Sequence, residues 1–247
     1  MTTRPDSSVE NSGVENGGVE ALYPFLYATD SNLDAVLEQA RRSTEAKIEE
    51  IVALRALVAE RDAERLTGCA RQLARSFASG GQLLAFGNGG SSTDAQDVVG
   101  MFLHPGGGAR SLPALSLTSD IAVVTALSND IGFDVVFARQ IAAFGRAGDI
   151  AVGLSTSGNS ANLIRGFEEA ARRGMVTVGL AGYDGGKMAE VDTIDHLFVV
   201  PSASVHRIQE AQTTVYHVLW EMVQLELRQL EPQQFEPQQF EPEYEGR

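Results

Sequence analysis

Residues 148–164 read GDIAVGLSTSGNSANLI, and the architecture can be predicted outward from this stretch. The apolar run DIAVGL predicts a buried strand, and ANLI begins a helical pattern after a loop rich in hydroxyl groups. The same order of strand, loop and helix recurs around QLLAF (82–86), PALSL (113–117), VTVGLAG (176–182) and HLFVV (196–200). Strand–loop–helix units at this spacing predict an α/β fold, with a five-stranded parallel sheet flanked by helices on both faces.

Long helical patterns flank this strand region on both sides. Apolar residues recur at helical spacing over residues 32–79, and Gly80 and Gly81 end the pattern. A last helix is predicted over residues 204–230. The sequence therefore predicts one domain over residues 23–230, with long N- and C-terminal helices.

The formal charge of −14 is divided unevenly along the chain. Residues 1–22 hold four acids and one Arg (−3), and residues 231–247 hold five Glu and one Arg (−4), so residues 23–230 carry −7. Both ends are polar and repetitive, the second with EPQQF twice, and we expect them to be disordered. An acidic body argues against a nucleic-acid partner, because such binding needs basic surface.

Composition excludes several other classes of protein. The one cysteine, Cys69, rules out a disulfide framework and a Cys-based zinc module, and its helical surroundings predict a small buried residue. No apolar run approaches the roughly 20 residues that span a membrane, so no membrane partner is expected. The first residues show no apolar core of a secretory signal. We therefore expect a cytoplasmic protein.

Two loops carry the residues best suited to bind a ligand. GNGGSS (87–92) and STSGNS (155–160) each follow a predicted strand, at the edge where parallel sheets bind ligands. The helix after the first loop is predicted to start near Thr93. Glycines let the backbone approach a ligand, and helix N-termini present free N–H groups to an anion. The four hydroxyl groups of the second loop add donors without charge, which suits a phosphate monoester. The alternative is that these residues only form turns and helix caps.

The glycine pattern does not predict a nucleotide cofactor. Gly87-x-Gly89 lacks the third glycine of the dinucleotide-binding fingerprint, and no GxxxxGK[ST] sequence for a nucleoside triphosphate occurs.

Five motifs together resemble the sugar isomerase (SIS) family. They are GNGGSSTDAQ (87–96), SND (128–130), GDIAVGLSTSGNSANLI (148–164), AGYDGGKMAE (181–190) and RIQE (207–210). The resemblance extends over roughly residues 45–229 and is nearest to phosphoheptose isomerases, which interconvert sedoheptulose 7-phosphate and a heptose 7-phosphate. It implies a single SIS domain with a flavodoxin-like three-layer arrangement, a role in carbohydrate metabolism, and a homotetramer that binds phosphosugar at its subunit interfaces.

The resemblance also implies a set of substrate-binding residues. Ser91 is expected to support the phosphate, beside contacts carried over motif by motif: Asn88, Gly89, Gly90, Asn129, Asp130, Ser155, Thr156, Ser157, Ser160 and Gln209.

The sequence departs from the family where the chemistry belongs. The family's zinc-binding His and its catalytic Glu, one helical turn later, correspond to Asp97 and Met101, whereas Gln209 and His217 match two further metal positions. Pro105 stands where the family has an Arg. What remains is a zinc site of Asp97, Gln209 and His217, because carboxylate oxygen and imidazole nitrogen are both zinc ligands.

Isomerisation moves a proton between adjacent carbons, which requires a base and an electrophile on the carbonyl oxygen. A methionine can do neither. Asp97 and His217 are therefore the candidate catalytic residues, with Asp94 and Glu210 as alternative bases. The structural alternatives are a solvated carboxylate at the start of a helix for Asp97 and an interface or core residue for His217.

Two functions from different classes stay open at this point. The first is an aldose–ketose isomerase of the phosphoheptose type. The second is a non-catalytic SIS module that binds phosphosugar in a regulatory role or binds another protein, which Met101 favours. A different phosphosugar reaction is a third alternative, because the fold alone does not fix the reaction.

Overall fold

The computed structural model describes residues 33–230 of the 247-residue chain. Both tails that the sequence predicts to be disordered, 1–22 and 231–247, lie outside the described residues. Five strands alternate with helices along the chain. The strands are β1 (Leu83–Gly87), β2 (Ala114–Ser116), β3 (Ile150–Leu154), β4 (Val176–Gly182) and β5 (His196–Val200).

Within residues 33–230, six α-helices connect and flank these strands, with short 3₁₀ turns at Phe133–Val135 and Gly186–Ala189. The helices are α1 (Leu33–Ala78), α2 (Gly90–Leu103), α3 (Ile121–Asp130), α4 (Val136–Phe144), α5 (Ala161–Arg172) and α6 (Val205–Leu230).

All five strands are parallel and lie in the order β2-β1-β3-β4-β5, which confirms the predicted sheet. The chain runs outward from β1 to β2, then returns to β3 on the other side of β1. In the pairing of β1 with β3, Gly87 stands opposite Leu154. The loops that follow these two strands therefore leave the sheet side by side, which is where parallel sheets bind ligands.

The sheet separates two apolar cores, as a three-layer fold requires. One core joins the sheet to α1, α2 and α6 and includes Leu73, Phe102 and Val223. Cys69 lies in this core with no exposed surface, as the sequence predicts. The other core joins the sheet to α4 and α5 and is built around Phe137 and Phe167.

Two compact units divide the chain between Glu50 and Ile51, within α1. The described part of the first unit is a polar stretch of helix, in which Arg41 forms ion pairs with Glu38 and Glu45. The second unit contains the sheet, the five later helices and both apolar cores. No helix within residues 33–230 is long and apolar enough to cross a membrane.

Candidate active site

The first candidate loop becomes helical earlier than the sequence predicts. The sequence places the start of the helix near Thr93, whereas α2 begins at Gly90. The backbone N–H groups of Ser91 and Ser92 already donate to the carbonyls of Asn88 (3.0 Å) and Gly89 (2.9 Å). Ser91 is consequently buried in the first turn of α2.

Gly90 allows α6 to approach the start of α2. A Cβ atom at this position would lie 2.5 Å from Nε2 of Gln209, which is closer than real Cβ contacts. Any side chain at Gly90 would therefore displace Gln209. The predicted substrate contacts Gly90 and Gln209 are thus neighbours, although 119 residues separate them in the sequence.

The second candidate loop folds around its own hydroxyl groups. The Ser155 hydroxyl accepts the N–H of Gly158 (3.0 Å), and the Ser157 hydroxyl accepts the N–H of Asn159 (3.2 Å). An oxygen that accepts in this way still has its own O–H to donate to a ligand. This loop is a tight turn that keeps hydroxyl donors available, so the two interpretations of its sequence are compatible.

Thr156 and Ser160 provide further donors at the start of α5. Their hydroxyl groups are half-buried, and neither is hydrogen-bonded within residues 33–230. Ser160 is the N-cap residue of α5 but makes no side-chain cap. A free hydroxyl at the positive end of a 12-residue helix is well placed to bind an anion.

Gly158 allows this loop to dock on the turn that follows β4. Its φ of +67° belongs to the left-handed region, and a Cβ atom here would lie 1.9 Å from the carbonyl oxygen of Gly185. The side chain of Asn159 also accepts the N–H of Lys187 (3.1 Å). The segment DGGK (184–187) therefore contacts the hydroxyl-rich loop and holds it in place.

A pair of side-chain amides joins the two loops. Nδ2 of Asn88 donates to Oδ1 of Asn162 (2.8 Å), and Nδ2 of Asn162 donates to Oδ1 of Asn88 (2.9 Å). Asn162 is the second residue of α5 and is only 3% exposed. Asn162 was not among the residues predicted from the sequence, although it lies just after the hydroxyl-rich loop.

Asn129 and Asp130 lie apart from this arrangement. They end α3 on an exposed surface, where Nδ2 of Asn129 donates to Oδ1 of Asp130 (2.8 Å). Among residues 33–230, neither side chain is hydrogen-bonded to the two candidate loops. The structure therefore supplies no direct link between this predicted pair and the rest of the site.

Asp97 on α2 faces His217 on α6. Oδ2 of Asp97 lies 3.7 Å from Nε2 of His217, and each side chain is about half exposed (53% and 49%). The hydroxyl of Tyr216 donates to the same Asp97 oxygen at 2.8 Å. This pair is solvent-accessible and is held in place by a buried tyrosine.

The hydroxyl of Tyr216 is kept protonated by its surroundings. Burial raises the pKa of Tyr216 well above its usual range, and the adjacent carboxylate of Asp97 raises this pKa further. Tyr216 therefore stays a donor to Asp97 at any physiological pH. Tyr216 is not recognisable as a site residue from the sequence, because on its own it looks like an ordinary core residue of α6.

Asp94 and Gln209 form a second contact between α2 and α6. Nε2 of Gln209 donates to Oδ2 of Asp94 at 3.1 Å. Burial raises the pKa of Asp94, the hydrogen bond from Gln209 lowers it, and repulsion from Asp97 raises it; the net shift is upward. Asp94 thus lies in the same cleft, as an alternative base should.

The remaining candidates of the sequence analysis are engaged elsewhere. Glu210 accepts a hydrogen bond from Arg207, so it is not a free base. Met101 is half-buried and packs against the core formed with α1 and α6. The family's catalytic position therefore carries an apolar side chain that the core uses.

The donor set of this cleft is compatible with a zinc ion. Two ligands of one tetrahedral zinc, each bonded at about 2.0–2.2 Å, lie about 3.4 Å apart, close to the separation of Asp97 and His217. Within residues 33–230, no three His, Cys, Asp or Glu side chains are grouped to hold a metal ion. A third protein ligand would therefore be the free oxygen of Gln209, whose nitrogen bonds to Asp94.

Gln212 connects α6 to the hydroxyl-rich loop from inside the protein. Its side chain has no exposed surface, and its Nε2 donates to the backbone carbonyl of Ser155 (3.4 Å). Its Oε1 has no hydrogen-bond partner in the described part of the chain. One helix, α6, thus places Gln209 beside the first loop, Gln212 beside the second, and Tyr216 and His217 beside Asp97.

Comparison with known proteins identifies the family of the chain. Residues 47–182 match the SIS domain family. A phosphoheptose isomerase of Roseiflexus sp. (strain RS-1) is 42% identical over 182 residues, which cover 73% of this chain and 91% of that protein. A phosphoheptose isomerase structure from Neisseria gonorrhoeae is 36% identical, with a TM-score of 0.69 over 74% of this chain and 98% of that one. A second, from Francisella tularensis, is 31% identical, with a TM-score of 0.63 over 79% and 100%.

The chain therefore belongs to the SIS domain family, as its motifs indicate. Within that family its similarity is to the phosphoheptose isomerases, both in sequence and in structure. The predicted fold class, a single SIS-type α/β sheet with long terminal helices, is confirmed.

Proposed function

We propose that the protein binds a phosphorylated heptose and interconverts its ketose and aldose forms, with sedoheptulose 7-phosphate as the ketose. The observation that carries this proposal is the pairing of two intact ligand loops, at neighbouring strand ends, with the Asp97–His217 cleft. The similarity to phosphoheptose isomerases at 42% identity supports the substrate class.

The hydroxyl-rich loop is suited to hold the phosphate. Ser155, Thr156, Ser157 and Ser160 offer O–H donors at the N-terminus of α5, where the helix dipole favours negative charge. An acidic protein needs such local donors, because its overall field repels an anion. The sugar would then extend toward Asn88, Gly89, Gly90 and Gln209.

Asp97 and His217 are proposed to share the proton-transfer chemistry. A base removes a proton from C1 of the ketose to give an enediolate, the proton returns at C2, and the hydroxyl proton passes from O1 to O2. A positioned side chain contributes about 10²–10⁴-fold to such a step. The hydrogen bond from Tyr216 restricts rotation of the Asp97 carboxylate and keeps it close to His217.

Asp97, Gln209 and His217 are the residues that would hold a zinc ion. When bound, zinc supplies an electrophile that polarises the sugar's carbonyl oxygen. The chain's own contribution is to orient these three donors: Asp94 holds the amide of Gln209, and Tyr216 holds Asp97.

A specific observation favours a second function, a non-catalytic module that binds phosphosugar. Met101 is half-buried and packs against the apolar core, so it offers no carboxylate to the cleft. In such a module the two loops would still bind phosphosugar, and Asp97 and His217 would have no reaction to serve. The two functions differ in turnover and not in binding.

Conversion of sedoheptulose 7-phosphate, followed by NMR with and without added zinc, tests the proposal. An isomerase should form heptose 7-phosphate at a rate proportional to enzyme concentration, and Asp97→Ala should lower that rate about 10²-fold at equal protein concentration. Tight binding with no product over hours would support the non-catalytic module instead. Neither binding nor product would contradict both.

We also propose a homotetramer, since apolar surface remains on the outer helices. Leu57 and Leu225 are 47% and 56% exposed, and an apolar groove between α1 and α6 is lined by Val58, Ala211 and Val218. Exposed apolar surface of this kind is commonly buried by association. Light scattering at micromolar concentration should give about four times the monomer mass, and a monomer would contradict the proposal.

A further inference from the structure

We infer that Asn162 is a positioning residue for the candidate site. Its side-chain amide fixes Asn88 in the orientation that contacts the sugar. This inference rests on the proposed function, and it assigns a role to a residue that does not itself reach the ligand.

The fold brings the two asparagines together from separate elements. Asn88 directly follows β1, and Asn162 lies in the first turn of α5, beyond the loop that follows β3. Because β1 and β3 are neighbours in the sheet, the first loop and the start of α5 lie side by side. The two residues are 74 apart in the sequence, so only this topology makes them partners.

The pairing of the two asparagines leaves one N–H group of each side-chain amide unused. A side-chain amide has two N–H donors and one carbonyl oxygen. The reciprocal bonds, 2.8 and 2.9 Å long, use one N–H and the oxygen of each partner. Asn88 is half-buried, whereas Asn162 is 3% exposed. The remaining N–H of Asn88 is consequently the one that a ligand oxygen can reach.

Holding the two elements together does not by itself require two amides. Apolar side chains of similar shape can replace a buried hydrogen-bonded pair with little loss of stability. They would not, however, keep an N–H pointing toward the ligand. The reciprocal bonds fix the side-chain torsions of Asn88, so binding does not have to restrict them, and pre-organised groups bind more tightly for that reason.

Asn162 is expected to affect binding of the sugar part of the ligand and not of its phosphate. Asn88 belongs to the loop proposed to contact the sugar, while the phosphate donors lie on the loop from Ser155 to Ser160. Loss of the Asn162 amide should therefore lower the affinity for a phosphosugar and leave the affinity for inorganic phosphate unchanged. A loss of local folding would instead lower the affinity for both ligands equally.

The test compares the two ligands by calorimetry in Asn162→Leu, which keeps the branched shape without the amide, and in Asn162→Ala, which removes the side chain beyond Cβ. The affinity for sedoheptulose 7-phosphate should fall about tenfold in both variants, the scale for one unsatisfied buried amide. The affinity for inorganic phosphate should stay within about twofold of the wild type. Glu168→Gln, on the exposed face of the same helix, should change neither.

A double-mutant cycle tests that Asn162 acts through Asn88. Because the two residues share one function, the variant with both Asn88→Ala and Asn162→Ala should bind sedoheptulose 7-phosphate no more weakly than Asn88→Ala alone. Losses that add would overturn the inference, as would an equal loss of phosphate affinity.

Failure of the proposed function gives a different result. A wild type that binds inorganic phosphate but no phosphosugar contradicts that function. Hydrogen exchange of the Asn88 side-chain amide, followed by NMR in the ligand-free protein, then tests the positioning alone. Exchange should be slower in the wild type than in Asn162→Leu, and equal rates would overturn the inference.

Discussion

The hydroxyl-rich loop at Ser155–Ser160 and the cleft between α2 and α6 differ in how closely they follow the family pattern. The loop keeps every predicted phosphate donor and is braced by Gly158, Asn159 and Gln212. The cleft keeps Gln209 and His217 but has Asp97 and Met101 where the resemblance implies a zinc-binding His and a catalytic Glu.

The contrast shows that the residues suited to bind the ligand and those suited to proton transfer lie in different parts of the candidate site. A phosphate loop works through backbone and hydroxyl groups, which the fold fixes wherever the strand–loop–helix unit is intact. A proton-transfer site depends on one or two side chains, so two substitutions are enough to change it. In this chain the cleft contains Tyr216, Asp97 and His217 in contact with one another, and we propose that they take the place of the family's proton-transfer residues.

The largest effect is expected at the phosphate loop. In Ser155→Ala combined with Ser157→Ala, the affinity for sedoheptulose 7-phosphate should fall by about 10²-fold or more, since two charge-assisted hydrogen bonds are lost. Calorimetry measures this directly. Ser79→Ala, an exposed serine at the end of α1, is the matched control. Unchanged affinity in the double variant would show that the phosphate binds elsewhere.

In the cleft we expect a loss of rate with little loss of binding. Asp97→Ala and His217→Ala should each lower the isomerisation rate about 10²-fold, the scale of a positioned acid or base. Affinity for the phosphosugar should change only a few-fold, because neither residue contacts the phosphate loop. Steady-state kinetics combined with calorimetry separates the two effects. Equal losses in affinity and rate would place Asp97 and His217 among the binding residues.

Met101→Glu returns the family's base to the cleft and should raise turnover about tenfold. Placing a carboxylate at a half-buried core position should also lower the free energy of unfolding by about 1–3 kcal/mol. Met101→Gln is the matched control, because it has a similar shape and carries no base. A gain in both variants, or in neither, would show that this position no longer governs the chemistry.

Tyr216→Phe removes the hydroxyl that holds Asp97 and should have the smallest effect. We expect a three- to tenfold lower rate and about 1 kcal/mol lower stability, the usual value for one hydrogen bond. Thr213→Val is a useful comparison, since Thr213 also contacts the Tyr216 hydroxyl (3.3 Å) but not Asp97. A rate that falls equally in both variants would mean that Tyr216 supports packing only.

Much of this fold could be predicted from the sequence, because parallel strands buried on both faces form continuous apolar runs. VTVGLAG and HLFVV match β4 and β5 residue for residue, and QLLAF is displaced from β1 by one. The start of α2 was predicted wrongly, since Gly90 reads as part of a turn although it opens the helix.

The contacts within the site could not be predicted in the same way. Tyr216 and Asp97 are 119 residues apart, and Asn88 and Asn162 are 74 apart. Each contact depends on how the elements pack, which short-range patterns do not encode. The family motifs indicated the candidate binding residues, but the partners that orient them became visible only in three dimensions.

The most direct test of the account is solvent proton exchange with the wild-type protein. Sedoheptulose 7-phosphate is incubated with the protein in D₂O, and the sugar phosphates are examined by mass spectrometry and NMR. Proton transfer through an enediolate should place deuterium at C2 of the heptose 7-phosphate that forms, and Asp97→Ala should slow this about 10²-fold. Tight binding of the sugar with neither deuterium incorporated nor heptose 7-phosphate formed would contradict the proposed isomerase.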